Sequence, residues 1–345
     1  MTVRDAGPHR DVRRRWGRRR AHGAPLEDVA AVTQRIAVLL SAGVSPASAW
    51  TYLLPDTSPL PDTSPPPDTE PATVAIIRAA AAAASRGESV ADAVAVGARS
   101  LGGQVGDAWL GLAAAWAVAT AAGAPLARCL RDQAASLREL GQLHRDLQVA
   151  LSGPRATARL VMGLPVGAIA VGALMGFNAL QVLFLTVPGW LCLLSGAALM
   201  QLAARWNRRL VRAATRAEAT PGLNLDLMAI AMTGGASVDR ARALVREVTE
   251  RFGLRSLSAA HEAPDDEAMS RVLRLSQRAG VPAAELLRSE ADQARRNARS
   301  AGQRRAEALA VTLMLPLGVC VLPAFMLVGV VPLVLSILST TLGSF

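Results

Sequence analysis

The pattern of apolar and polar positions divides the chain into amphipathic helices and two long apolar stretches. The longer stretch, residues 160–204, contains no Asp, Glu, Lys, Arg or His. About 20 apolar residues cross a bilayer. This block is roughly twice that length, and Gly176, Asn178 and Gln181 mark its middle. It predicts two membrane helices, 158–177 and 181–203, within a transmembrane hairpin over 154–204. Arg155 and Arg159 precede it, and Arg205, Arg208, Arg209 and Arg212 follow it. Positive charge marks the cytoplasmic side, so both ends of the hairpin are expected in the cytoplasm.

Before the hairpin, Leu26, Val29, Ile36 and Leu39 recur at helical spacing over 26–42. Gly43 ends that helix, and Ser45-Pro46 supplies a cap and a first-turn proline for the next. Residues 55–71, PDTSPLPDTSPPPDTEP, read as an extended, exposed spacer. Ala-rich helices follow over 72–86 and 90–98. The run DAWLGLAAAWAVATAA, 107–122, is short of a full crossing and reads as the buried helix of a bundle. Residues 126–150 form a charged helix that leads straight into the first span.

After the hairpin the spacing predicts helices over 224–233, 238–251, 264–279 and 282–305. Asp292 and Arg296 stand four apart in the favourable acid-first order. A last apolar stretch, 308–338, is interrupted by Pro316, Pro323, Gly329 and Pro332. It reads as one span with a short kinked extension. Three spans, with the N-terminus cytoplasmic and the C-terminus outside, satisfy the charge rule throughout.

Composition narrows the chemistry. Hydrophobic residues make up 51% of the 345-residue chain and aromatic residues 3%, which favours Ala/Leu-rich helices over strands. The fold class expected is an all-α integral membrane protein with two tandem cytoplasmic helical-bundle units. The net charge is +10, and every basic residue other than the four histidines is Arg. Without Lys there is no Walker A lysine and no Schiff-base amine. Cys129, Cys192 and Cys320 show neither metal-ligand nor disulfide-framework spacing. GxSxG and HExxH are absent, so no catalytic, cofactor or metal site is expected and the chain does not read as an enzyme. The Arg-rich N-terminal arm, 1–25, reads as a disordered cytoplasmic segment without a cleaved leader or a nucleic-acid recognition motif.

An internal repeat reorganises this picture. LLSAGVSPASAW matches AMTGGASVDRAR, with Gly43 and Pro46 in a turn opposite that of Gly235. ATAAGAPLARCLRDQA matches LSQRAGVPAAELLRSEA, with Gly123 opposite Gly280 and Pro125 opposite Pro282. ARLVMGLPVGA matches AVTLMLPLGVC, with Pro165 opposite Pro316. Glycine supplies the left-handed residue that closes a helix, and Pro or Ser starts the next, giving helical hairpins. The first membrane helix closes one unit, and the second returns the chain so that the next unit begins.

The ordered set of AG-x-S/P and AG-x-P turns, with the C-terminal LPLGVCVLPAFMLVGVVPLVLS, resembles the type II secretion system F (GspF-like) family. Within it the chain looks closest to the TadB/TadC branch of Flp (tight adherence) pilus assembly platforms. The resemblance implies a multi-pass plasma-membrane platform that couples a separate secretion or pilus ATPase to pilin assembly or protein export. Its implied partners are that ATPase, a paralogous platform protein or further copies of itself, the pilin or exported protein, and the lipid bilayer. The domain order expected is the arm 1–25, a first bundle 26–153, the hairpin 154–204, a second bundle 205–306 and a C-terminal transmembrane segment 307–340. The alternative is a small permease-like subunit of a transporter. Its mark would be a polar path through the spans, and the apolar block lacks the ionisable residues such paths use.

Overall fold

The computed structural model describes residues 25–55, 72–150, 187–215, 221–254, 262–312 and 317–331, with isolated positions at 152, 153, 156, 160, 163, 167, 315 and 334. Every element among them is a helix. In chain order these are α1 (Pro25–Ser41), α2 (Pro46–Thr51), α3 (Ala72–Ser85), α4 (Val90–Leu101), α5 (Gly103–Ala122), α6 (Leu126–Ala150), α7 (Val187–Thr215), α8 (Leu223–Thr233), α9 (Val238–Phe252), α10 (Glu262–Ala279) and α11 (Ala283–Thr312). A short helix α12 (Leu322–Phe325) follows, between π-helical turns Leu317–Val321 and Met326–Val330. The N-terminal arm, the proline-rich spacer over 56–71 and most of the expected first membrane helix lie outside the described residues.

The chain divides into two compact units. The first combines residues up to His144 with Glu218–Ala298. Its core is continuous across both halves of the repeat: Ile36, Trp50, Trp109, Leu112, Leu130 and Leu137 from the first half share it with Leu225, Leu227, Met228 and Leu287 from the second. At its centre runs α5, buried from Ala108 through Trp116 and again at Val118 and Ala119. Helices α1, α4, α8 and α9 pack around it. The Trp50 and Trp116 rings meet at 5.5 Å in a tilted arrangement, the geometry that aromatic quadrupoles favour.

Two helix bounds differ from the sequence expectation. Helix α5 begins at Gly103, earlier than residue 107, because Gly102 and Gly103 adopt φ of +61° and +58° and fold the chain back directly from α4. Helix α11 runs to Thr312 rather than stopping near 305. The apolar residues that follow Arg305 continue the same helix, and no glycine or proline intervenes before Pro316.

The second unit combines Arg145–Ala217 with Arg299–Phe345. Helix α7 packs along the segment Leu317–Val330, where Ala203, Cys320 and Val321 form a small buried cluster. Gly196 lets the two helices approach closely: a Cβ there would lie 2.1 Å from Val328 Cγ2. The opposite faces are apolar and open, with Trp190, Leu191, Leu194 and Leu202 exposed on α7 and Val319, Leu322 and Met326 exposed on the C-terminal segment. Near the start of this unit, Arg299 of α11 donates to Asp146 of α6 at 3.2 Å.

Candidate functional site: a polar seam between equivalent helices

In the first unit, charged side chains of α6 and α11 meet one another and the ends of α1 and α8. The turns that position them are equivalent in the two halves. Gly43 and Gly235 both take φ +86°, and Gly123 and Gly280 take +70° and +67°. That left-handed conformation is costly for any residue with a Cβ. After Gly123 the Ala124 amide donates back to the Ala119 carbonyl at 2.9 Å, and after Gly43 the Val44 amide does the same to Leu39 at 3.0 Å. Each is the long-range bond that closes a Schellman turn. Ser45 then caps α2 by accepting from the Ser48 amide at 3.1 Å, and Ser237 caps α9 by accepting from the Arg240 amide at 3.4 Å.

The remaining landmarks fall as follows. Pro46 is the first residue of α2. Pro125 and Pro282 stand just before α6 and α11, and their carbonyls accept from the Arg128 and Glu285 amides at 3.0 and 3.2 Å. Pro165 and Pro316 lie outside the described residues.

On these turns rest long-range bonds that the sequence pattern did not expose. The Ser41 hydroxyl at the end of α1 donates to the Ala37 carbonyl at 2.7 Å and accepts from Arg131 of α6 at 2.6 Å. The equivalent Thr233 at the end of α8 donates to Ala229 at 2.7 Å and accepts from Arg288 of α11 at 2.9 Å. Thus each long charged helix grips the C-terminal turn of the helix that opens its own half. Between the halves, Arg128 meets Glu285 at 3.1 Å, and Arg288 reaches Asp132 at 3.6 Å. At the same corner a Cβ on Gly234 would stand 2.1 Å from the Ala122 carbonyl oxygen, so α8 and α5 touch backbone to backbone.

The most buried member of the seam is the pair Asp226–Arg295, at 2.6 Å with side chains 17% and 10% exposed. Burial pushes the Asp226 carboxyl up to about 6, against the pull of the Arg295 guanidinium. Burial also raises Asp132 above the usual carboxylate range. Arg295 is shared with Asp292 on its own helix, while Arg296 binds the Gln293 carbonyl at 2.7 Å. The expected Asp292–Arg296 pair is therefore replaced by an i,i+3 pair. Arg295 is aimed at the buried Asp226, a tertiary partner that helix spacing cannot show. Gln133, Ser136, Leu137 and Leu223 line a shallow cleft beside this ion pair.

The seam holds no nucleophile poised beside a base. Cys129 is buried, and its thiol is pushed up by that burial, opposite to the thiolate stabilisation that makes cysteine reactive. Among the described residues, no three His, Cys, Asp or Glu side chains gather as a metal site. What the arrangement supplies is fixation: it locks α6 and α11, the helices whose chains continue into the second unit, onto α1 and α8.

The family model described as Type II secretion system (T2SS), protein F matches residues 32–173. That match begins within α1, covers α2 to α6 and ends inside the first apolar stretch. No curated protein and no solved structure matches the chain.

Proposed function

We propose that this chain is a plasma-membrane platform protein of a type II secretion or type IV (Flp/Tad) pilus assembly machine. In that machine it couples a separate cytoplasmic ATPase to pilin assembly or protein export. The observation that carries this reading is the match to the secretion-system F model over residues 32–173. It is supported by the second half of the chain, which carries the same turns and hydroxyl-gripping arginines outside the matched residues. The seam gives the reading a physical form. Helices α6 and α11 are each anchored at their N-terminal ends, to α1 and α8, and force applied to the first unit passes along both.

On this reading the apolar faces of α7 and of Leu317–Val330 contact lipid, and the chain crosses the membrane three times. The N-terminus and both groups of bundle helices stand in the cytoplasm, and the C-terminus stands outside. The TadB/TadC-type role follows from the resemblance of the turns and of the C-terminal sequence, and a paralogous platform chain or further copies of this one complete the assembly.

Co-purification of the detergent-extracted chain with the secretion or pilus ATPase encoded beside it tests the reading. Recovery of that ATPase, and its loss when the first unit is unfolded by a core substitution, is the expected result. A chain that is neither encoded beside such an ATPase and pilins nor retains them on purification overturns the proposal.

A further inference from the structure

The repeat alignment sets Gly123 opposite Gly280 and Pro125 opposite Pro282. By the same register Arg128 stands opposite Glu285, Arg131 opposite Arg288, and Asp132 opposite Ser289. The ion pair Arg128–Glu285, at 3.1 Å, therefore joins two equivalent positions. In a two-fold arrangement only residues at the axis meet their own equivalents; elsewhere a contact of i with j is mirrored by one of j with i. The matched grips of Arg131 on Ser41 and Arg288 on Thr233 lie within their own halves and hold α6 and α11 in equivalent settings on either side of that pair. The two halves thus pack through α5 against α8 and α9, and α6 and α11 meet across that packing at equivalent charged positions.

We infer that this seam is an interaction surface built for an unlike partner: each half accepts the other half and disfavours a second copy of itself. The charge is divided across the axis. Were α6 to meet another α6 in the same way, Arg128 would face Arg128. Were α11 to meet another α11, Glu285 would face Glu285. The off-axis bond of Arg288 to Asp132 has no mirror, because Ser289 stands where the second acid would be and Arg131 donates to Ser41. Like charges facing each other penalise the wrong partner more than an exposed pair rewards the right one. Arg128 and Glu285 are each 54% exposed, so the pair adds only a little to overall stability and acts mainly on choice of partner. The partner that fits the α6 face is a helix of α11 type carrying an acid at the axis position. In this chain that partner is its own second half. The inference rests on the repeat and the seam geometry and stands apart from the secretion reading.

The full-length chain in a cysteine-free background tests it. Cysteines at 128 and 285 are introduced by Arg128→Cys and Glu285→Cys, together in one chain and separately in differently tagged, co-expressed chains. A short bismaleimide is expected to link 128 to 285 and to leave mixtures of two Arg128→Cys chains, or of two Glu285→Cys chains, unlinked. A 128–128 or 285–285 link, or no link at all, overturns the inference. In the cysteine-bearing wild-type background, Arg128→Glu and Glu285→Arg are each expected to lower the ratio of protease-resistant to protease-sensitive chain about two- to five-fold. The double exchange is expected to restore it. A double exchange that loses as much as the two single changes together also overturns it.

Discussion

Helices α5 and α7 are both strongly apolar, yet the protein treats them in opposite ways. By length and composition α5 is the one helix among the described residues able to cross a membrane. It is nevertheless enclosed: Trp109, Leu112, Ala114 and Val118 are all at 1% exposure or less beneath four neighbouring helices. Helix α7 is apolar in its first half and carries arginines along its second, yet Leu191 is 65% and Leu194 59% exposed. Hydropathy records what must avoid water, while the fold decides whether protein covers it. The side chains that cover α5 come largely from helices distant in sequence, and α7 is covered along one face by the C-terminal segment.

The comparison breaks most visibly at the core. Trp109→Ala is expected to cost about 3–5 kcal/mol, as for buried large aromatics generally. Leu191→Ala on the open face of α7 should change stability by less than about 0.5 kcal/mol. Urea denaturation of the detergent-solubilised chain, followed by tryptophan fluorescence, measures both, and equal losses would contradict the contrast.

Next in size is the response to pH. The folded pKa of Asp226, about 6, lies above the ordinary aspartate value of 3.8. The folded state therefore binds the proton more tightly than the unfolded state between those values, and the stability contributed by this group falls as pH rises from about 4 to about 6. The shift corresponds to a fall of order 2–3 kcal/mol. Denaturation midpoints measured across that range should decline, and Asp226→Asn should flatten the decline. A wild-type midpoint that rises through the window contradicts the sign.

Two close helix contacts sharpen the contrast between the units. Gly234→Ala drives a methyl against a backbone carbonyl of α5, whereas Gly196→Ala drives one against a side-chain methyl of Val328. The first is expected to cost about 2 kcal/mol and the second less, because a side chain moves more cheaply than a helix backbone. Smaller still are the equivalent caps. Ser45→Ala and Ser237→Ala should each cost about 1 kcal/mol, with similar values if the two halves are built alike.

Much of the fold could be read from the pattern of residues. The bounds of α6 agree with the charged run after Gly123-Ala124-Pro125, and the four matched glycines are among the nine described glycines that turn left-handed. These features are legible because they are local: a glycine, a capping serine and an apolar face lie within a few residues of one another. The seam was not legible for the opposite reason. Arg131 with Ser41, Arg288 with Thr233 and Arg295 with Asp226 join residues far apart in sequence. The helix-spacing rule assigned Arg296 to Asp292, and it failed because burial of Asp226 draws Arg295 inward while Asp292 follows it. The repeat alignment held the missing signal, since two arginines at matched positions opposite two hydroxyls at matched helix ends could have been paired from it.

The most direct test of the account is to ask lipid itself which helix it touches. The full chain is reconstituted in vesicles containing a photoactivatable phospholipid whose reactive group sits in the acyl region, and labelled peptides are identified by mass spectrometry. Labelling is predicted on α7 around Leu191 and Leu194 and on Leu317–Val330, with α5 unlabelled. Label on α5, or an unlabelled α7, would contradict the proposal that α7 faces the bilayer while protein encloses α5.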